Sequence, residues 1–86
     1  MLTTNKRCYF CGKTTVQLHH IYGGRNRKIS DRNGFTVWLC VEHHTGNKGV
    51  HNCEEMSLIL KKKQQEQYEK THTRQDFINL IGRSYL

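Results

Sequence analysis

The stretch FTVWLCVEHH, residues 35–44, runs without a break from an apolar segment into a cysteine and two histidines. Its first residues are aromatic, β-branched or otherwise apolar, which is typical of a buried β-strand. Cys40 and His43 then follow with C-x2-H spacing, at which two side chains can grip one tetrahedral zinc ion. The stretch therefore predicts a strand that leads directly into half of a metal site.

The other half of this site lies ahead of a second strand-like segment. Cys8 and Cys11 form a C-x2-C pair, and TTVQLHHI at 14–21 alternates in the manner of a strand. The two pairs would meet at the open end of a hairpin, and we predict a structural zinc ion with four ligands: Cys8, Cys11, Cys40 and His43. The segment between the pairs exceeds the roughly 12–15 residues of a zinc finger, so a helical finger fits poorly.

Two alternatives to this ligand set stay open at the level of sequence. The thiols could be buried without a metal, since free cysteine is among the most buried residue types. Cys53 could also replace His43 as the fourth ligand, although it lies beyond a glycine-containing loop. Otherwise Cys53 is expected to be a packed thiol at the start of a helix.

Composition favours a small metal-stapled domain with a polyanionic partner. The chain has 86 residues, 35% of them hydrophobic, and a mean hydropathy of −0.80, so we expect one domain with a modest core. Its 14 Lys and Arg against 7 Asp and Glu give a net charge of +7, which favours nucleic acid as the partner. The polar start MLTTNKRCYF indicates no signal peptide, and nothing predicts a membrane span. We therefore expect a cytoplasmic protein with reduced thiols.

The predicted fold class is α+β, with a zinc-stapled β-hairpin packed on helices. Residues 8–52 form the core of this single domain, and 53–86 form a C-terminal helical extension. Residues 22–34 are predicted to be a loop and 41–49 a helix or turn. Phe35, Val37 and Trp38 are expected in the hydrophobic core.

Two capping signals predict the helices of the extension. Asn52 with Glu55 three residues later resembles a capping box, for a helix that continues to about Lys70. Thr73 with Asp76 repeats the signal for a short helix that stops near Gly82.

The histidines of the chain suggest a second site. Neighbouring side chains in a strand face opposite ways, so His19 and His20 should point in different directions. If His43 binds the zinc ion, the side chain of His44 points away from that ion. His19 and His51 could then lie close to His44. Three imidazoles on one divalent ion leave positions open for water and phosphate. His72 is expected on the surface.

The segments LHHI, WLCVEHH and GVH, preceded by CYFC, resemble the HNH endonucleases, also called ββα-metal or His-Me-finger nucleases. The chain is most similar to small phage-encoded proteins of this family, which share the loop HHIYGG–NRK, the turn GNKGVH and a tail like DFINLIGRSYL. The resemblance covers nearly the whole chain. It implies a metal-dependent DNA endonuclease or nickase whose products carry a 5′-phosphate and a 3′-hydroxyl.

The resemblance also implies roles for the histidines. His20 would be the general base, and histidine suits that task because its ordinary pKa lies close to neutral pH. His19 and His44 would hold the catalytic Mg²⁺, Mn²⁺, Ni²⁺ or Zn²⁺, and His51 would complete the site.

The chain departs from the family pattern at two positions. The last histidine of the family follows at H-x3-H spacing, where this chain has Lys48. His51 comes three residues later, through a loop in which Gly46 and Gly49 supply flexibility. Phe35 also occupies the position of the family's middle asparagine. Two asparagines stay open as its substitute: Asn26 and Asn33.

A basic loop follows the proposed base. In GGRNRK, glycines let the backbone approach phosphate and cations neutralise it. The expected nucleic-acid contacts are Arg25, Arg27, Lys28, Arg32 and Lys48. The lysines at 61–63 could add non-specific attraction. Two other functions stay open: an inactive zinc-stabilised nucleic-acid-binding module in phage recombination or packaging, and a zinc-containing protein–protein adaptor.

Overall fold

The computed structural model describes residues 2–3, 5–47 and 49–86. Strands β1 (Gln17–His20) and β2 (Thr36–Leu39) form an antiparallel pair in which His19 lies opposite Val37. A 3-10 turn at Gly24–Asn26 precedes the first helix. The helices in the described residues are α1 (Arg27–Asn33), α2 (Val41–His44), α3 (Glu54–Tyr68) and α4 (Arg74–Ile81). The predicted α+β class and the hairpin packed with helices are confirmed.

The connection between the strands is not the predicted loop, because it contains α1. The buried Ser30 hydroxyl donates to the Tyr22 carbonyl over 2.8 Å and accepts from the Tyr22 N–H over 3.2 Å. These bonds fix the helix to the end of β1. Gly34 then ends the helix in the left-handed conformation with φ 70°, which costs glycine little. The many charged residues of this segment predicted a loop, although the segment forms a helix whose Ser30 is buried.

One hydrophobic core joins the strands to the C-terminal helices. The Tyr22 ring contacts the rings of Phe35 and Phe77, each at a centroid distance of 5.5 Å. Phe77 and Leu60 are fully buried, and each contributes about 2–3 kcal/mol through burial. The buried apolar residues are Cys8, Ile21, Tyr22, Phe35, Val37, Leu39, Cys40, Val50, Leu60, Phe77 and Ile81. The segments predicted as core and extension therefore share one interior.

Trp38 differs from its predicted place in the core. Phe35 and Val37 are buried as expected, but the Trp38 ring is half-buried on the outer side of the strand pair. The Lys6 ammonium lies 5.2 Å from its ring centroid, where it partly covers the aromatic face.

The two capping signals had different outcomes. Thr73 and Asp76 form the predicted capping box on α4, and Gly82 ends that helix with φ 106°. The predicted cap at Asn52 is wrong: α3 begins after Cys53, and its N-cap makes no side-chain bond. The Asn52 amide instead donates to two carbonyls of the preceding turn. Within the part of the chain that the structure describes, no helix combines the length and apolar character needed to cross a bilayer.

Candidate metal centre

The four predicted zinc ligands lie together at one end of the strand pair. The candidate atoms of Cys8, Cys11, Cys40 and His43 are all within 4.8 Å of one another. The Cys11 and Cys40 sulfurs are 3.6 Å apart, and the Cys8 sulfur lies 3.6 Å from His43 Nδ1. Zinc bond lengths of about 2.3 Å to sulfur and 2.1 Å to nitrogen give tetrahedral edges of about 3.6–3.8 Å. These four residues, which we call the cysteine-rich group, can therefore hold a metal ion, and Cys53 lies outside it.

Backbone hydrogen bonds place the two halves of the cysteine-rich group. The Gly12 N–H donates to the Cys8 carbonyl over 2.9 Å, and Gly12 has φ 77°, so the chain turns tightly between the two thiols. The Tyr9 N–H donates to the Trp38 carbonyl over 3.0 Å and fixes this turn beside β2. Cys40 is the residue directly before α2, and His43 lies one helical turn later. Both side chains therefore face the turn that carries Cys8 and Cys11.

The Cys8 thiol has an environment that suits a thiolate ligand. Burial raises its pKa, but hydrogen bonds from the backbone of Cys40, Cys11 and Phe10 outweigh this effect and lower the pKa to about 6. Because the thiolate is the form that binds metals, these bonds favour the ligating state at neutral pH.

A second group brings together the three other predicted ligands, His19, His44 and His51. Their candidate nitrogens also lie within 4.8 Å of one another. His44 Nε2 and His51 Nε2 are 2.9 Å apart, and the His19 ring centroid lies 5.2 Å from each of the other two rings. We call this the three-histidine group. It is a second set of side chains able to hold a metal ion.

Close backbone packing returns His51 to His44. The Val50 N–H donates to the His43 carbonyl over 2.9 Å, and the His51 N–H donates to the His44 carbonyl over 3.1 Å. A Cβ at Gly49 would lie 2.8 Å from the His44 carbonyl carbon, and one at Gly46 would lie 2.6 Å from the Glu42 carbonyl oxygen. The two glycines therefore permit close contact with α2, which differs from the flexibility predicted for them.

Burial and neighbouring charges favour the neutral forms of two members of the three-histidine group, His19 and His44. Burial lowers the pKa of His19 to about 4, assisted by His44 and His51, and burial together with His51 also lowers the pKa of His44. His44 Nδ1 lies 2.7 Å from Gln17 Oε1. We assign the proton to Nδ1, which donates to the carboxamide oxygen and leaves the Nε2 lone pair facing the group. Imidazole ligands suit zinc and nickel better than magnesium, which prefers oxygen ligands.

His20 lies next to the three-histidine group without belonging to it. Its Nε2 is 3.4 Å from the Asp31 carboxylate of α1. The two open candidates for the middle asparagine bind elsewhere: the Asn26 amide donates to the Ile81 carbonyl, and the Asn33 amide to the Ile29 carbonyl. Asp31 occupies the place beside the imidazole. Sequence reasoning missed this residue because it lies on α1, where a loop is predicted.

A cleft of about 400 Å³ joins these side chains. It is lined by the histidine pair of β1, by His44 and His51, and by Arg27 and Lys61, among others. Of the predicted nucleic-acid contacts, Arg27 lines the cleft, whereas Lys28 and Arg32 are exposed elsewhere on α1. Arg25 is exposed beside Gly82, and Lys48 lies outside the described residues.

The α3 side of the cleft was missed by sequence reasoning. Ser57 and Lys61 both line it, one turn apart on the same helix face. The polar sequence of α3 shows no strong apolar stripe that would have indicated which residues face inward.

Comparison of the chain with protein-family models, with curated proteins and with solved structures found no match. No family is assigned. The resemblance noted in the sequence stays a prediction, and the geometry of the site is the basis for the function proposed below.

Proposed function

We propose that the chain is a metal-dependent nuclease of the HNH type that hydrolyses phosphodiester bonds in DNA. One observation supports this proposal above the others: His20 lines the same cleft as the three-histidine group but is not part of that group. A cleft with one free imidazole beside a set of metal ligands provides a base and an electrophilic centre for one reaction.

Each side chain of the cleft has a task in this proposal. His20 accepts a proton from the attacking water, and Asp31 orients the imidazole through Nε2, which leaves Nδ1 for the proton. Arg27 neutralises charge on the phosphate. A divalent ion on the three-histidine group would supply further positive charge where the phosphate and the leaving oxygen become more negative.

The cysteine-rich group has a separate, structural task. Four protein ligands, three of them thiolates, close a coordination sphere and leave no position for substrate, as is typical of structural zinc. A zinc ion there would hold the amino-terminal turn against β2 and α2. DNA is the proposed substrate because the net charge of +7 and the basic side chains near the cleft favour a polyanion.

Plasmid relaxation tests the proposal. Zinc-loaded wild type, His20→Ala and His72→Ala are compared with added Mg²⁺, Mn²⁺ or Ni²⁺, and zinc content and melting temperature are measured for each. His72 is the matched control because it is exposed and stacks on Tyr68, away from the cleft. We expect wild type and His72→Ala to nick the plasmid, and His20→Ala to be at least about 100-fold slower with its zinc retained.

Two results would contradict the proposal. Equal cutting by His20→Ala and wild type places the base elsewhere. If all three proteins bind DNA and none cuts it with any ion, a nucleic-acid-binding module is the better description.

A further inference from the structure

Three consecutive lysines of α3 have different surroundings although they are alike in the sequence. Lys61 is half-buried and lines the cleft beside the three-histidine group. Lys62 and Lys63 are exposed, and the Lys63 ammonium lies 3.9 Å from the Glu66 carboxylate one turn along the helix. The position of Lys61 therefore sets it apart from a diffuse basic surface.

The backbone at Lys61 is tied to the histidine-bearing strand. The buried Tyr22 hydroxyl donates to the Lys61 carbonyl over 2.7 Å. Tyr22 follows His20 by two residues, and its ring is fixed by contacts with Phe35 and Phe77. This bond fixes the position of α3 along the end of β1, and with it the point at which the Lys61 side chain enters the cleft.

The side chain of Lys61 has an aromatic neighbour. Its ammonium lies 5.3 Å from the ring centroid of Tyr85, a contact that restrains the long side chain. Among the described residues, no carboxylate forms an ion pair with it. The ammonium thus retains donors for an anionic ligand.

We propose that Lys61 is a phosphate-binding residue of the cleft, held in place by Tyr22 and Tyr85. It donates to a non-bridging oxygen of a DNA phosphodiester, and Arg27 lines the same cleft from α1. Ser57, one turn earlier on α3, presents a hydroxyl donor on the same face. The C-terminal segment is then part of the substrate site. This inference rests on the proposed function for its substrate, DNA.

The test compares Lys61→Gln with Lys62→Gln, and Lys61→Arg serves as the variant that keeps the charge. Glutamine retains part of the methylene stem but lacks the ammonium that lies over Tyr85, and arginine keeps a cation at this position. Binding of a short fluorescein-labelled DNA duplex is measured by anisotropy at a series of salt concentrations, with zinc-loaded protein and no added divalent ion. Plasmid nicking is then measured with the ion that supports the fastest reaction.

The slope of log affinity against log salt is negative, and we expect Lys61→Gln to reduce its magnitude by about 0.9, the value for one lost phosphate contact. We also expect it to lower nicking by about tenfold, with Lys61→Arg near wild type and Lys62→Gln changing both quantities much less. Equal effects of the two glutamine variants would overturn the proposal, because Lys61 would then act only as diffuse charge.

Failure of this inference is distinguishable from failure of the proposed function. If wild type binds DNA without cutting it, the nuclease proposal fails, while the difference in salt slope still supports or overturns the role of Lys61. If wild type cuts and the two glutamine variants behave alike, the nuclease proposal stands and this inference falls. A chain that binds no DNA contradicts both.

Discussion

At the residue scale, Gln17 determines which nitrogen of His44 is free to bind a metal. Its carboxamide oxygen lies 2.7 Å from His44 Nδ1 and, in the tautomer that we assign, accepts a hydrogen bond from the Nδ1–H. Without this acceptor, the ring can turn or protonate on Nε2 instead. Groups that orient ligating histidines in this way commonly change metal affinity by about 10- to 100-fold.

We therefore predict that Gln17→Ala weakens Ni²⁺ binding to the three-histidine group by about tenfold. Titration calorimetry on protein loaded with one zinc ion per chain measures this affinity, and Thr15→Ala, an exposed position just before β1, is the control. An unchanged affinity in Gln17→Ala would show that His44 needs no partner at Nδ1.

Single residues differ in how far the sequence could predict them. The meeting of His19, His44 and His51 is predictable because their spacing around a hairpin and a candidate metal-binding turn limits where they can lie. Asp31 contacts His20 from α1, and Lys61 lines the cleft from α3. Nothing local marks them, because their place depends on how α1 and α3 pack against β1.

At the scale of elements, the turn after α2 decides whether His51 reaches its neighbours. A methyl group at Gly49 would lie 2.8 Å from the backbone of His44, where neither atom can move without displacing α2. We predict that Gly49→Ala lowers the free energy of unfolding by about 1–3 kcal/mol. It should also weaken Ni²⁺ binding to the three-histidine group.

Chemical denaturation and metal titration measure the two effects of Gly49→Ala. Asn47→Ala is the matched control, since Asn47 is an exposed residue of the same turn. Equal stability and equal Ni²⁺ affinity in both variants would mean that the turn tolerates a side chain at Gly49.

The first turn of α4 gives a prediction about pH. Hydrogen bonds from Thr73 hold the pKa of Asp76 below its ordinary value, and the bond from the Thr73 backbone N–H has the largest effect. A lowered carboxyl pKa stabilises the fold above the unfolded pKa, and this contribution is lost only as pH falls through the lowered value. We predict that Asp76→Ala melts a few degrees below wild type and that this gap does not narrow from about pH 8 to pH 5.

Thermal melts of both proteins across this pH range test the effect of Asp76. Gln75→Ala, a change at the neighbouring exposed position, should leave the melting temperature nearly unchanged. A gap that narrows toward pH 5 would contradict a lowered pKa.

Elements with local signals are more predictable than elements that depend on packing. Thr73, Asp76 and Gly82 fix the ends of α4 through bonds within a few residues, so their pattern indicates the helix directly. The helix α1 depends on Ser30 and Tyr22, whose bonds form only once the segment folds back on β1. Asparagine is a common N-cap residue, but the Asn52 amide donates to carbonyls of the preceding turn and does not cap α3.

At the scale of the whole molecule, the core is small and one end of it consists of metal-binding side chains. Cys8 and Cys40 belong to the same buried cluster as Leu39 and Val37. Without an ion, the Cys8 thiolate would lie in this interior without a compensating positive charge. We predict that metal chelation or Cys11→Ser lowers the melting temperature by at least about 15 °C, equivalent to about 2–4 kcal/mol in a domain of this size.

Circular dichroism with and without a chelator measures this loss. Cys53→Ser is the matched control, because the Cys53 thiol lies at the start of α3 outside the cysteine-rich group. Equal melting temperatures for Cys11→Ser and wild type would show that the core holds without the metal.

His43 and His44 are consecutive residues of one short helix, yet each belongs to a different metal-binding group. An ion bound by Cys40 and His43 fixes the helix, and with it the position of His44 and the carbonyls that hold His51. Occupation of one group therefore lowers the entropy that the other must lose to bind. The two equilibria are linked and must favour each other by the same factor. A chain that already holds an ion at the cysteine-rich group is therefore expected to bind a second ion at the three-histidine group more tightly, and the converse holds by the same factor.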